Sequence, residues 1–152
     1  MSARTTASLF GLALALTVTA APLKQEDIID ASREVVSELQ ECSVYFVLSP
    51  TCFAEQSPAM ARDYRAAADR IGVLALKVGR SVGLSTEAFL ARHSLLSEEM
   101  MDAIQKSCVN IAVLQRRYAK FCLRLSQDTD SRLKEWIACK QAQQSPCPGG
   151  PL

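Results

Sequence analysis

Apolar positions recur with a helical period along most of the chain, and no stretch alternates with the two-residue period of a strand. In residues 24–48, apolar or small side chains form two seven-residue rows on one helical face. These rows are Ile28, Val35 and Cys42, and Ser32, Leu39 and Phe46. Acidic residues in the first turns suit the positive end of the helix dipole. The pattern predicts a first helix over residues 24–48, ended by Pro50.

Residues 58–82 carry the clearest apolar stripe. Its positions alternate in steps of four and three: Met60, Tyr64, Ala67, Ile71, Leu74 and Val78. A stripe with this spacing is the face that a helix buries. Gly79 and Gly83 mark the C-terminal end, because glycine readily adopts the left-handed conformation that ends many helices. We therefore predict a second helix over residues 58–82.

Two serines mark the starts of the next predicted helices. Ser85 precedes a short helix, and Ser97 precedes a long helix that runs to Leu125. One row of the long helix contains Met101, Cys108, Gln115 and Cys122. A last helix follows around Trp136, and the final "QQSPCPGGPL" has a composition that does not pack. The sequence predicts an all-α, disulfide-braced bundle of four to five helices.

The N-terminus has the composition of a secretory signal. Arg4 supplies a positive charge, and residues 8–18 form an apolar segment too short to cross a bilayer. Small residues before Ala21 predict cleavage after Ala20, with an uncleaved N-terminal anchor as the alternative. The predicted division is a signal peptide over residues 1–20, a helical bundle domain over residues 21–142, and a disordered Pro/Gly-rich tail over residues 143–152. No transmembrane span is predicted once the signal is removed.

All six cysteines follow the predicted signal: Cys42, Cys52, Cys108, Cys122, Cys139 and Cys147. In an exported chain this favours disulfides. Structural zinc and redox sites need close pairs such as C-x-x-C, and the gaps between these cysteines are wider. We therefore predict no metal and no cofactor, and we interpret the cysteines as structural.

The preferred pairs are Cys42–Cys122 and Cys108–Cys139, with Cys52 bonded to Cys147 or free. This pairing follows from the expected heights of the cysteines along the helices. At 1.5 Å per residue, Cys108 would lie about 21 Å below Cys122 in one long helix. The descending last helix would bring Cys139 to that level. A local Cys42–Cys52 bridge is the alternative, since Pro50 turns the chain.

The charge is nearly balanced in total but not along the chain. The sequence has 17 basic and 16 acidic residues, which argues against nucleic acid as a partner. Basic residues form a ridge on the predicted long helix: Arg116, Arg117, Lys120 and Arg124. One interpretation is an anionic partner, such as a membrane surface, peptidoglycan or an acidic protein. The other is a solvated face, or one paired with Glu34, Glu38 and Glu41 on the acidic first helix.

Candidate catalytic residues are sparse. His93 is the only histidine, and it lies in "ARHSLL" between a basic and a polar residue, with no flanking aspartate and no nucleophile elbow, so we predict no catalytic residue. Aromatic side chains could line a cavity for a hydrophobic ligand or could simply form the core. They are Tyr45, Phe46, Phe53, Tyr64, Phe89, Tyr118, Phe121 and Trp136.

The expected function is therefore binding rather than catalysis. The partner would be another exported protein or an envelope component, and the alternative is a carrier of a small hydrophobic ligand or lipid. Arginine outnumbers lysine and Asn110 is the only asparagine, which favours a bacterial source and the periplasm. A secreted eukaryotic protein is the other interpretation.

Overall fold

The computed structural model describes residues 24–143 and also Pro146, Cys147 and Gly149. Within these residues the fold is all-α, with five helices packed together. They are α1 (Gln25–Phe53), α2 (Pro58–Ser81), α3 (Thr86–Ala103), α4 and α5 (Thr129–Gln141). Helix α4 consists of Ala112–Leu114, a π-helical turn at Gln115–Ala119, and Lys120–Gln127. The predicted signal peptide and much of the predicted tail lie outside the described residues.

Helix α1 is the centre of the bundle. Every residue from 38 to 46 is buried except Glu41, which is partly exposed. A helix buried on all sides must be surrounded by others. Helix α1 packs most extensively against α2, and it also contacts α3, α4 and α5. The predicted disulfide-braced helical bundle is confirmed.

The predicted end of the first helix at Pro50 is wrong. Helix α1 continues through Pro50 to Phe53, and both residues are buried. Proline lacks an N–H group, so one helical hydrogen bond, the one to the Phe46 carbonyl, is missing. One turn of helix after Pro50 remains, because the contacts made by its buried side chains outweigh that loss. The local preference of proline is overridden by packing.

Helix α2 ends as the glycines predict. Gly83 has a φ of 83°, which is the left-handed conformation. The Leu84 N–H donates to the Gly79 carbonyl at 2.8 Å, and the Gly83 N–H donates to the Arg80 carbonyl at 3.2 Å. These two bonds form a Schellman motif. Ser85 then caps α3, since its Oγ accepts a hydrogen bond from the Ala88 N–H at 3.0 Å.

The predicted boundary at Ser97 is wrong. Helix α3 passes through Ser97, whose hydroxyl donates to the His93 carbonyl at 2.9 Å, and it ends at Ala103. The predicted long helix is broken after this point, where Gln105 and Lys106 both have a φ of 54°. A short 3₁₀ turn at Cys108–Asn110 follows. Cys108 and Cys122 therefore do not share one continuous helix.

Three disulfides join the described cysteines: Cys42–Cys122, Cys52–Cys108 and Cys139–Cys147. Their Cα–Cα distances are 5.2, 5.1 and 5.7 Å, within the range that a disulfide spans. The predicted Cys42–Cys122 pair is confirmed. The predicted Cys108–Cys139 pair, the assignment of Cys52 to Cys147 and the alternative Cys42–Cys52 bridge are wrong. The break after α3 is the reason, because it brings Cys108 to the end of α1 that carries Cys52.

Candidate functional site

The predicted basic ridge lies on the outer face of α4. Its four side chains are exposed: Arg116, Arg117, Lys120 and Arg124. The core-facing side of the same helix carries Leu114, Tyr118, Cys122 and Leu125, all of them buried. The Cys42–Cys122 bridge fastens that buried side to α1. The basic face therefore belongs to a helix that a disulfide joins to the centre of the bundle.

The ridge does not pair with the acidic first helix. No carboxylate among the described residues lies within 4 Å of Arg116, Lys120 or Arg124. The guanidinium of Arg117 lies 5.2 Å from the centre of the Tyr118 ring. The ridge cations thus remain available to solvent or to a partner.

The acidic residues of α1 instead pair with α5. Lys140 Nζ lies 3.6 Å from Glu34 Oε1, and Arg132 forms a buried ion pair with Glu38. The expectation that Glu34 and Glu38 would pair with the ridge on α4 is therefore wrong. The sequence indicated the complementary charges of early and late helices, but not which late helix carries the partner.

The ion pair of Glu38 belongs to a small buried network that sequence analysis missed. Arg132 Nε donates to Glu38 Oε2 at 2.8 Å, and its Nη2 donates to Oε1. Trp136 Nε1 donates to Glu38 Oε1 at 3.1 Å. Hydrogen bonding to Glu38 raises the pKa of Arg132 above its ordinary value. An acidic residue inside the apolar part of α1 was the available signal, since a buried carboxylate requires a partner.

Exposed apolar side chains accompany the ridge. Leu123, between Lys120 and Arg124 in the sequence, is 41% exposed, and Val113 is 38% exposed. A surface that combines cations with apolar side chains can pair with the negative charges of a partner and also contact its apolar groups. Helix α4 offers that combination on its outer face.

The aromatic side chains of the interior pack against one another. Tyr45 lies 5.3 Å from Phe46, 5.8 Å from Tyr64 and 5.8 Å from Tyr118, measured between ring centres. Phe53 contacts Tyr64 edge-on at 5.9 Å. Burial is the main reason that the pKa of Tyr45 is raised well above its ordinary value. These rings form the core beneath α4.

His93 is half-buried on α3 and stacks on Phe89, with 6.4 Å between the ring centres. Burial lowers the pKa of this imidazole, so it is neutral at physiological pH.

Within the described part of the chain, no group of three or more metal-ligating side chains comes together. No described helix has both the length and the apolarity that a bilayer span requires.

Fold and surface together define a small all-α protein with three disulfides and a basic outer helix. Comparison with protein-family models, with curated proteins and with solved structures finds no match to this chain. The three disulfides indicate an oxidising environment outside the cytoplasm. Any assignment of function therefore depends on the surface itself.

Proposed function

We propose that this protein is exported to the periplasm or secreted and binds, without catalysis, a negatively charged exported macromolecule or envelope component. The contact surface is the outer face of α4. The observation that carries the proposal is the absence of any carboxylate within 4 Å of Arg116, Lys120 and Arg124 among the described residues.

The placement of these cations supports a binding role. A charge network that served only the fold would place carboxylates beside them, as it does for Arg132 and Lys140 on α5. The ridge is instead exposed and carries the apolar side chain of Leu123 beside its charges. An anionic partner gains Coulomb energy from the cations and buries the leucine at the same time.

The export part of the proposal is supported by the cysteines and by the N-terminal sequence. Three disulfides are rarely maintained in a reducing cytoplasm. The apolar segment over residues 8–18 behind Arg4 has the features of a signal peptide.

Binding of the oxidised protein to phosphatidylglycerol vesicles, to peptidoglycan and to an acidic protein column tests the proposal. We expect salt-sensitive retention on one of these partners, because screening weakens contacts between exposed charges. Combined Arg116→Ala, Lys120→Ala and Arg124→Ala substitutions should abolish it. Retention on none of the three partners would show that α4 is only a solvated face.

A matched control carries the same loss of charge on α2. Arg62, Arg70 and Lys77 are exposed there, so their triple alanine variant should retain the binding of the wild type. Equal loss in both variants would indicate a nonspecific effect of net charge and would contradict the proposal. Native mass spectrometry of protein from its own host adds a further test, since a lipid-sized adduct retained in the core would favour the carrier.

A further inference from the structure

A second surface feature lies where α1, α3 and α4 meet. It is a cleft of about 290 Å³, close to the smaller ligand pockets of proteins. Five polar side chains line it: Glu41, Arg92, Glu99, Arg117 and Tyr118. Buried apolar side chains, including Leu96, Met100 and Leu114, complete its lining. It shares only Arg117 with the basic ridge.

The π-helical turn of α4 builds one wall of this cleft. Arg117 and Tyr118 both lie in the turn at Gln115–Ala119. Such turns occur often at functional sites, because the extra residue changes the direction of the side chains. In this chain the turn places a guanidinium and a phenol on the same cleft.

The hydroxyl of Tyr118 has no hydrogen-bond partner in the part of the chain that the structure describes. The side chain is 5% exposed and its ring stacks on Tyr45. Its hydroxyl makes no hydrogen bond to any described residue, yet it is not sealed from solvent. Burial raises the pKa of this phenol, so it remains protonated at neutral pH. The hydroxyl can therefore donate a hydrogen bond to a molecule in the cleft, and it can also accept one.

Glu41 is the only residue of the buried stretch 38–46 that reaches the surface. Its carboxylate has no hydrogen bond and no ion pair within 4 Å among the described residues. Burial raises its pKa, and the positive charges of Arg92 and Arg117 oppose that shift. The two arginines are thus near enough to act on Glu41 without neutralising it by contact. A cationic group bound in the cleft would supply the missing hydrogen bonds.

The charges around the cleft cancel, since Arg92 and Arg117 face Glu41 and Glu99. A simple anion would be repelled by the carboxylates, and a simple cation would be repelled by the guanidinium groups. We propose that the cleft binds a small zwitterion, the size of a free amino acid with an apolar side chain. Its ammonium group pairs with Glu41, and its carboxylate pairs with Arg92 and Arg117. The phenol of Tyr118 hydrogen-bonds to the bound molecule.

Isothermal titration of the oxidised protein with L-leucine and L-methionine tests this proposal. N-acetyl-leucine and leucine methyl ester each lack one charge, and both should bind about tenfold more weakly or worse, since a hydrogen bond to a charged group is lost. sn-Glycero-3-phosphoethanolamine, a phosphodiester with one negative and one positive charge, represents the zwitterionic headgroup of a lipid. Saturable binding of an amino acid or of the headgroup compound supports the site. The compound that binds more tightly shows whether the natural ligand is a free amino acid or a lipid headgroup.

Variants locate the binding. Glu41→Gln and Arg117→Gln should each weaken it about tenfold, and Tyr118→Phe should weaken it less. Arg62→Gln removes an exposed charge on α2, outside the cleft, and should leave the binding unchanged. Circular dichroism verifies that each variant is folded. No saturable binding of any of the three zwitterions, or equal binding of the acetylated and esterified compounds, would overturn the proposal. This outcome is separate from that of the α4 ridge, whose triple variant retains Arg117.

Discussion

Arg132 on α5 holds Glu38 on α1 by two hydrogen bonds, although 94 residues separate them in the chain. Both side chains are buried, with 10% and 7% of their surface exposed. The guanidinium carbon also lies 5.1 Å from the centre of the Trp136 ring. This pair joins the last helix to the central one, so the two helices depend on each other for stability.

Replacing Arg132 by methionine should destabilise the fold strongly. Glu38 would remain buried without its counter-charge, which costs about 3–5 kcal/mol. Urea denaturation of the oxidised protein measures the change. Glu38→Leu combined with Arg132→Met should recover much of the loss, because an apolar pair requires no counter-charge. The exposed Arg33–Asp30 pair serves as the control, and Arg33→Ala should change the stability by less than about 1 kcal/mol.

The disulfides should contribute unequally to stability. Cys42 and Cys122 are separated by 80 residues, and Cys139 and Cys147 by 8. By loop entropy, removing the long-range bridge should cost about 4.5 kcal/mol and removing the short one about 2.5 kcal/mol. Double alanine variants compared by urea denaturation test this ranking. Non-reducing peptide mapping tests the pairing, and a peptide joining Cys108 to Cys139 would contradict the structure.

Glu41 should make stability depend on pH. Its pKa is raised from 4.5 in the folded state, chiefly by burial, so the folded protein holds this proton more tightly than the unfolded chain. The resulting stabilisation is present below pH 4.5 and is lost as the pH rises through the raised pKa. Glu41→Gln should therefore be more stable than the wild type at neutral pH and not at strongly acidic pH. Arg92, Arg117, Glu38 and Glu99 also act on this carboxyl group. Urea denaturation of both proteins at neutral and at strongly acidic pH gives the sign of their stability difference. An equal difference at the two pH values would contradict this prediction.

Two glycines should respond in opposite ways to replacement by alanine. Gly83 has a φ of 83° and no atom within 4 Å of an added Cβ, so Gly83→Ala adds backbone strain of about 1–2 kcal/mol. Gly72 lies inside α2, where an added Cβ would make ordinary contact with Ser43 Oγ at 3.5 Å. Gly72→Ala should stabilise the protein by about 0.5–1 kcal/mol. Thermal unfolding of the two variants compares them directly.

The predicted signal peptide has a direct chemical test. N-terminal sequencing of protein recovered from the periplasm or the culture medium should begin at Ala21, followed by Pro22 and Leu23. Arg4→Glu should reduce export, because it reverses the positive charge before the apolar segment. An intact chain beginning at Met1 in the membrane fraction would contradict cleavage.

Local sequence signals predicted the parts of the fold that depend on local chemistry. The end of α2 follows from Gly83, which adopts a conformation that other residues avoid. The cap of α3 follows from Ser85. The periodic stripe of α2 predicted its buried face in part. Tyr64, Ala67 and Ile71 are buried, whereas Leu74 and Val78 are partly buried and Met60 is 39% exposed.

Features that depend on distant contacts were not predictable in the same way. The break after α3 contains no glycine or proline, and Gln105 and Lys106 adopt left-handed conformations near the Cys52–Cys108 bridge. Pro50 lies inside α1 because its surroundings bury it. The cleft at Glu41 brings three helices together, so no single segment of the sequence carries its pattern. Its one local trace is the carboxylate of Glu41, directly before the mainly apolar run that begins at Cys42.

The nested arrangement of two disulfides determines what happens to the protein after cleavage by a protease. The loop closed by Cys52 and Cys108 lies wholly inside the loop closed by Cys42 and Cys122. Lys106 is exposed in the connection between α3 and α4, where a trypsin-like enzyme could cut. Such a cut breaks the backbone but leaves its two fragments joined by both bridges. The cleaved protein therefore stays one covalent molecule until its disulfides are reduced. In a chain without disulfides the same cleavage would separate the two fragments.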